Sequence, residues 1–300
     1  MKDLHIALAQ GHWTGDQEST KSLYRELVAE AAATGAGLIC LPEFSILPYF
    51  PGRRDPAGFR WAEPLRGGAS DRFFSELARA HQVSIIGSLF ERDADGNTWD
   101  TATIHDPTGE LRYFTRKVHI PSGEGYHETD YFAGGDQFPV HDLGAIKLAA
   151  PTCYDQWFPE LARIYTLEGA EFIYYPTAIG SEPTAPDFDS AAAWRTVMRG
   201  HAVANGLFIA ACNRIGKENA VAFYGSSFIC DPLGNILAQA GRDGDEVIHA
   251  LLRASVREQY LELFPLLHQR RPQHYGRLLS GISESPPSRW KESLTTETSD

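Results

Sequence analysis

Short apolar runs alternate along this chain with amphipathic stretches of helical period, and that alternation confines it to an α/β architecture. "LHIALAQ" (4–10) leads into a predicted helix over 17–34, where Tyr24, Leu27, Val28 and Ala31 fall at i, i+3, i+4 and i+7. "GLICLPE" reads as a strand ending at Glu43. "SDRFFSELARAH" reads as a second helix with Ser70 or Asp71 as its N-cap, and "VSIIGSLFE" as a third strand. "TWDTATIHD" and "LRYFTRKVHI", separated by the turn Pro107-Thr108-Gly109, predict a hairpin. In the second half "IKLAAPT" runs into Cys153, a helix is expected from about Phe158 to Glu168, and "EFIYYPTA" is a strand. "SAAAWRTVMRGHAVAN" is a helix that Asp189 or Ser190 can cap, and "LFIAACN", "SSFICDP", "NILAQAG" and "EVIHALL" form a second set of strands. Two such sets predict one layered α/β domain over 1–279, with two sheets inside and helices outside. From Ser280 the chain turns to Ser, Thr, Glu and Pro with few apolar residues, so 280–300 reads as a polar tail.

A net charge of −12 disfavours nucleic acid or an anionic membrane as partner, because those surfaces reward clustered Lys and Arg; it suits a small cationic substrate. The start "MKDLHIALAQ" has no basic leader before an apolar segment, and no apolar run reaches the ~18 residues of a membrane span, so the expected location is the cytoplasm. Cys40, Cys153, Cys212 and Cys230 form no CxxC pair, which leaves neither a zinc ribbon nor a redox pair. Three of them sit in apolar runs where cysteine serves as a small hydrophobe. Cys153, in "APTCYDQWFPELAR", is the exception.

Glu43, Lys117 and Cys153 each stand at or near the carboxyl end of a strand-like run, where open α/β sheets gather their ligands. Together they offer a thiol nucleophile, a carboxylate to take its proton and an ammonium to stabilise an oxyanion. Cys153 also precedes a helix with Pro159 in its first turn. The end of that helix is expected to favour the thiolate, with the amide of Tyr154 as an oxyanion donor. HExxH and Walker motifs are absent, and "TGAGLIC" precedes a strand instead of following one, so no metal or organic cofactor is expected.

"LPEF" around Glu43, "RKVHIPSGEGYHE" around Lys117 and "CYDQWFPELAR" around Cys153 resemble, in the same order, the signature segments of the nitrilase or carbon–nitrogen hydrolase superfamily, from about residue 4 to about 278. The resemblance implies a four-layer α-β-β-α sandwich that pairs into dimers or higher oligomers. It implies Glu43 as general base, Lys117 as stabiliser of the tetrahedral intermediate and Cys153 as the residue that becomes acylated. A second glutamate near the lysine falls on Glu128 through "GYHETDYF", with Glu124 as the competitor. Asp155 stands where the true nitrilases typically carry Glu.

"DQWFPE", "YPTAIGSEP", "NRIGKE", "FYGSSFI" and "RRPQHY" look like a branch that hydrolyses N-carbamoyl amines such as N-carbamoylputrescine to the amine, ammonia and carbon dioxide. That likeness implies Glu182 as receiver of the substrate's ammonium. Tyr49, Phe50, Tyr126, Tyr154 and Trp157 are aromatic candidates for the walls of the substrate pocket. "EFSILPYFPGRRDP" departs from the branch at Phe44, Pro51, Arg53 and Arg54, a change that can favour an anionic substrate tail. An N-carbamoyl amino acid such as N-carbamoyl-β-alanine, or an ω-amide, is therefore the alternative substrate. A catalytically silent scaffold is the alternative to an enzyme.

Overall fold

A computed structural model of the chain describes residues 1–281; the expectation of a polar tail falls almost wholly on residues outside the described ones. The first half forms β1 (Leu4–Gln10), α1 (Gln17–Ala33), β2 (Leu38–Cys40), α2 (Ala69–His81), β3 (Ser84–Arg92), β4 (Thr98–His105) and β5 (Leu111–Arg116). β1, β2 and β3 are parallel neighbours. β4 and β5 follow as the expected hairpin, so β5 runs in the same direction as β3. The stripe of Tyr24, Leu27, Val28 and Ala31 is buried, and with Phe73, Phe74 and Leu77 of α2 it packs on Ala7, Ile39 and Ile85 on one face of this sheet. α2 starts at Ala69 with Gly68 in the cap position, so neither Ser70 nor Asp71 caps it. The reason is local: the Glu63 carboxylate accepts from the Ser70 amide at 3.0 Å, and Asp71 is drawn to Nε2 of His105 at 2.8 Å.

The second half adds two short pairs, β6 (Ser122–Gly123) with β7 (Tyr126–His127) and β8 (His141–Asp142) with β9 (Lys147–Ala149). It continues through α3 (Pro159–Leu167), β10 (Phe172–Thr177), α4 (Ala191–Asn205), β11 (Phe208–Asn213), β12 (Ile215–Glu218), β13 (Val221–Tyr224), β14 (Phe228–Cys230), β15 (Ile236–Gln239), β16 (Glu246–Leu252) and α5 (Ala254–Leu263). The second six-stranded sheet has the order β15-β14-β11-β10-β9-β8. Every residue of β10 and β11 is buried, which is why both read as unbroken apolar runs and not as alternating ones. Leu161, Tyr165, Trp194 and Met198 of α3 and α4 cover its outer face. Of the two proposed caps for α4, the Asp189 carboxylate accepts from the Ala191 amide at 3.0 Å, while the Ser190 hydroxyl turns to the Tyr224 hydroxyl.

The inner faces meet through Ile6, Leu8, Cys40 and Ile86 on one side and Phe172, Tyr174, Phe208 and Cys212 on the other. The order is therefore α-β-β-α in a single domain, as expected. One strand changes sheet. "EVIHALL", grouped by sequence with the second set, is β16 and pairs antiparallel along all of β1, from Leu4 with Leu252 to Gln10 with Glu246. Among the described residues no helix is long and apolar enough to cross a membrane.

Candidate active site

The carboxyl ends of β2 and β5 in one sheet and of β9 and β10 in the other point to one place. Glu43 lies just past β2, Lys117 directly after β5, and Cys153 opens a short 3₁₀ helix (Cys153–Trp157) beyond β9. The strand expected to run to Glu43 stops at Cys40, which frees the residues after it to turn. Glu43, Lys117 and Glu128 are completely or almost completely buried. Lys117 Nζ donates to Glu43 Oε1 at 2.9 Å and to Glu128 Oε2 at 2.5 Å, and Tyr49 Oη donates to Glu128 Oε1 at 2.8 Å. A further acid, Asp100 of β4, brings Oδ2 to 3.3 Å from the same Nζ. Of the two glutamates proposed beside the lysine, Glu128 is the one that touches it. Glu124 is exposed at the rim, 3.9 Å from His127.

Two backbone sites at the catalytic groups are strained. Cys153 has φ +42° and Phe44, next to Glu43, has φ +48°, in a region that non-glycine residues rarely occupy. Each is held by polar contacts. The Asp155 carboxylate accepts from the amides of Thr152 (3.1 Å), Val118 (3.3 Å) and His119 (2.8 Å), tying the nucleophile's turn to the residue after Lys117. The Phe44 amide donates to Ser88 Oγ at 3.2 Å, and Ser88 Oγ donates to Asp100 Oδ1 at 3.3 Å. Arg214, 1 % exposed, donates to the carbonyls of Glu43 (3.1 Å), Phe44 (2.7 Å) and Leu47 (3.0 Å) and pairs with Glu218. Glu218 in turn accepts from the Tyr49 amide at 2.6 Å.

The helix following the cysteine begins where sequence placed it, but its end does not reach the thiol. α3 starts at Pro159, and the intervening 3₁₀ turn separates Cys153 from its N-terminus. The thiol is accordingly not poised as a thiolate. Burial, reinforced by Glu43, pushes it well above the usual thiol range against the opposing charge of Lys117 and a hydrogen bond from the Ala178 amide. Glu43 is itself raised well above the carboxylate range by burial, with Lys117 opposing. Burial works to lower Lys117, yet Glu128, Glu43 and Asp100 hold it above its ordinary value. The arrangement is a protonated thiol beside a basic carboxylate and a permanently charged ammonium, which suits base-assisted attack on a carbonyl carbon.

Cys153 opens onto a cavity of about 620 Å³ lined by Tyr126, Tyr154, Trp157, Ile179, Phe188 and Glu182, with Glu128 at its inner end and Glu124 at its rim. Two expectations are corrected here. Tyr49 does not line this cavity, because its hydroxyl is spent on Glu128, and Phe50 is packed against Phe44, Phe90 and Phe132. Arg53 and Arg54 also lie elsewhere, around a second hollow with His127 that shares Ser122, Gly123 and Glu124 with the first. The loop bearing Glu182 is fixed by Tyr126 Oη, which donates to the Ser181 carbonyl at 3.0 Å and accepts from the Gly180 amide at 3.2 Å. Gly180 is required there: a Cβ would stand 2.3 Å from the Ala222 carbonyl oxygen.

Sequence reading missed Asp100, Ser88, Arg214 and Glu218. Asp100 had a usable signal, since it shares the inward period-2 face of its strand with Ala102 and Ile104, where an acid is out of place without a partner.

The chain resembles known proteins over most of its length. The family model for carbon-nitrogen hydrolase matches residues 5–260. The chain is 34% identical over 284 residues to a citrullinase of Francisella tularensis, covering 93% of this chain and 99% of that one. It is 35% identical over 288 residues to an N-carbamoylputrescine amidase of Arabidopsis thaliana, covering 93% and 96%. The crystal structure of a carbon-nitrogen hydrolase from Helicobacter pylori superposes with a TM-score of 0.87 at 33% identity, covering 93% and 99%.

Proposed function

The chain belongs to the carbon–nitrogen hydrolase family and is a hydrolase of carbon–nitrogen bonds, and from that premise we propose that it removes the carbamoyl group of N-carbamoylputrescine or a close N-carbamoyl amine. Glu43 takes the thiol proton as Cys153 Sγ bonds to the carbamoyl carbon, and the carbonyl π pair moves onto oxygen beside Lys117 Nζ and the Tyr154 amide. As the C–N bond breaks, the departing nitrogen leaves with the proton that Glu43 holds. Water, losing a proton to Glu43, then displaces the Cys153 sulfur, which takes that proton back from Glu43 to re-form the thiol. The released carbamic acid breaks down to carbon dioxide and the second nitrogen, so that the amine and ammonia are both freed. Glu128 holds Lys117 in place and is itself held by Tyr49.

The observation that carries this choice of substrate is the charge of the cavity. Among its lining residues every charged side chain is a carboxylate, Glu124, Glu128 or Glu182, and the rest of the wall is largely aromatic and aliphatic. Such a wall suits a short alkyl chain ending in an ammonium and works against an anionic tail. Glu182 is the proposed receiver of that ammonium. One observation favours a second reading: the Arg53 and Arg54 hollow borders the cavity and would accept the carboxylate of a ureido amino acid such as citrulline, after which the Francisella relative is named.

Ammonia release from N-carbamoylputrescine, citrulline and N-carbamoyl-β-alanine, measured side by side with Cys153→Ala as blank, tests the choice. The expected result is preference for the cationic substrate, with Glu182→Gln raising its KM about tenfold while kcat holds. Preference for citrulline, lost in an Arg53→Ala/Arg54→Ala double variant, would replace this reading with the second.

A further inference from the structure

Asp100 is a buried acid that the mechanism above does not use, and it stands among its most important groups. It is fully buried and reaches the cluster from β4. One oxygen each from Glu43, Asp100 and Glu128 lies within 4.8 Å of the others, and Lys117 Nζ touches all three residues. That ammonium already fills the role a bound cation would have, so the cluster is not read as a metal site.

Counting donors decides where protons must be. Both oxygens of Glu128 accept, one from Tyr49 Oη and one from Lys117 Nζ. Glu43 Oε1 accepts from Lys117, and Asp100 Oδ1 from Ser88. Among the described residues Glu43 Oε2 is buried without a hydrogen-bond partner, and Asp100 Oδ2 accepts no hydrogen bond and has only the ion-pair contact with Lys117 Nζ at 3.3 Å. The Glu43 and Asp100 side chains approach within hydrogen-bond contact of each other, and since an ionised carboxylate only accepts, the two repel when both are charged, whereas one proton between them makes a donor–acceptor pair. Charge points the same way: three carboxylates against one ammonium leave two uncompensated negative charges away from water, and one proton halves that.

We propose that Glu43 and Asp100 share a single proton in the resting enzyme, and that Asp100 is a positioning residue that raises the basicity of Glu43 toward the Cys153 thiol. The groups facing the pair are Lys117 from the end of β5, Glu128 and the Tyr49 hydroxyl beyond it, Cys153 from the second sheet, and uncharged Ser88 from β3. When sulfur attacks, its proton becomes the second on the pair. When the nitrogen departs it takes one proton away, and the pair returns to one. A carboxylate facing Lys117 alone would be a weaker base, because the ammonium favours its ionised form and no neighbouring acid opposes that.

The inference rests on the role of Glu43 given above, but its test needs no substrate. The rate of Cys153 alkylation by iodoacetamide is followed against pH in the full chain and in Asp100→Asn, with Cys153→Ala as blank. Asn keeps the size of Asp100, can accept from Ser88 and can donate its amide to Glu43. The expected result is that the acidic midpoint moves down by about one unit in Asp100→Asn. An unmoved midpoint in a folded variant would overturn the proposal. If Asp100→Asn fails to fold, infrared spectroscopy of the unaltered protein at pH 7 decides: a protonated-carboxyl band, lost in Glu43→Gln, is expected, and its absence would equally overturn it. A wrong substrate assignment changes neither readout, so the two readings fail separately.

Discussion

Among the described residues two side-chain cations are withdrawn from solvent, and they do opposite work. Arg214 and Lys117 are 1 % and 0 % exposed, and both act on Glu43. Arg214 holds its carbonyl, together with those of Phe44 and Leu47, and completes its fork on Glu218. Lys117 holds its carboxylate and otherwise meets only Glu128 and Asp100. The arginine is a planar fork whose donors go to fixed backbone groups, a staple for the turn after β2. The lysine is a point charge among acids that leave Glu43 Oε2 without a partner and hold Asp100 Oδ2 by a 3.3 Å ion pair alone. A fully satisfied buried charge fixes structure, and one left beside an unfilled carboxylate oxygen is set for chemistry.

The largest expected effect falls on the lysine. Lys117→Met removes the only ammonium in the cluster, and kcat should fall by about a thousandfold or more, because charge developing on the carbonyl oxygen loses its stabiliser. Protonation of the acids partly compensates the loss of charge, so the variant should still fold, at a lower melting temperature. Activity within tenfold of the original would break the comparison by making Lys117 a second staple. Arg214→Lys should show the converse. An ammonium has three donors for contacts that the guanidinium makes to three carbonyls and Glu218, so stability should drop by roughly 2–4 kcal/mol in thermal or urea unfolding. The fall in kcat should be nearer tenfold, and an unchanged melting temperature with kcat lost as in Lys117→Met would refute the staple.

The contrast also explains what could be read from sequence. The helices and sheets were legible because burial has a period: the α1 stripe at Tyr24, Leu27, Val28 and Ala31 and the solid runs of β10 and β11 are direct records of what each face touches. The placement of β16 was not legible, since an apolar run does not carry the identity of its neighbour, and only the observed register assigns it to β1. Glu43, Lys117, Glu128 and Cys153 could be found because their segments resemble a known family. Arg214 could not, because its role lies in three carbonyls of a turn far away in sequence. Tyr49 was read as a pocket wall because an aromatic ring beside a catalytic segment suggests contact with substrate, whereas its hydroxyl in fact serves Glu128.

The smallest effect lies where the two grips on this segment meet. Ser88 Oγ accepts from the amide of strained Phe44 and donates to Asp100 Oδ1, so it links the turn that Arg214 staples to the acids around Lys117. Ser88→Ala leaves the Phe44 amide without that acceptor and Asp100 without that donor, at a cost of about 1–2 kcal/mol by urea unfolding. Removing a hydrogen bond that favours the ionised form raises a carboxyl pKa, so the acidic midpoint of Cys153 alkylation should move up. That is opposite in sign to the shift expected for Asp100→Asn, where a neighbouring negative charge is removed. General loss of order in the site would move both variants the same way; opposite shifts require that Asp100 act on Glu43 through its charge. An upward shift of a few tenths of a unit with kcat reduced only a few-fold would therefore sharpen the distinction between staple and reacting cluster. A midpoint that moves down in both variants would erase it.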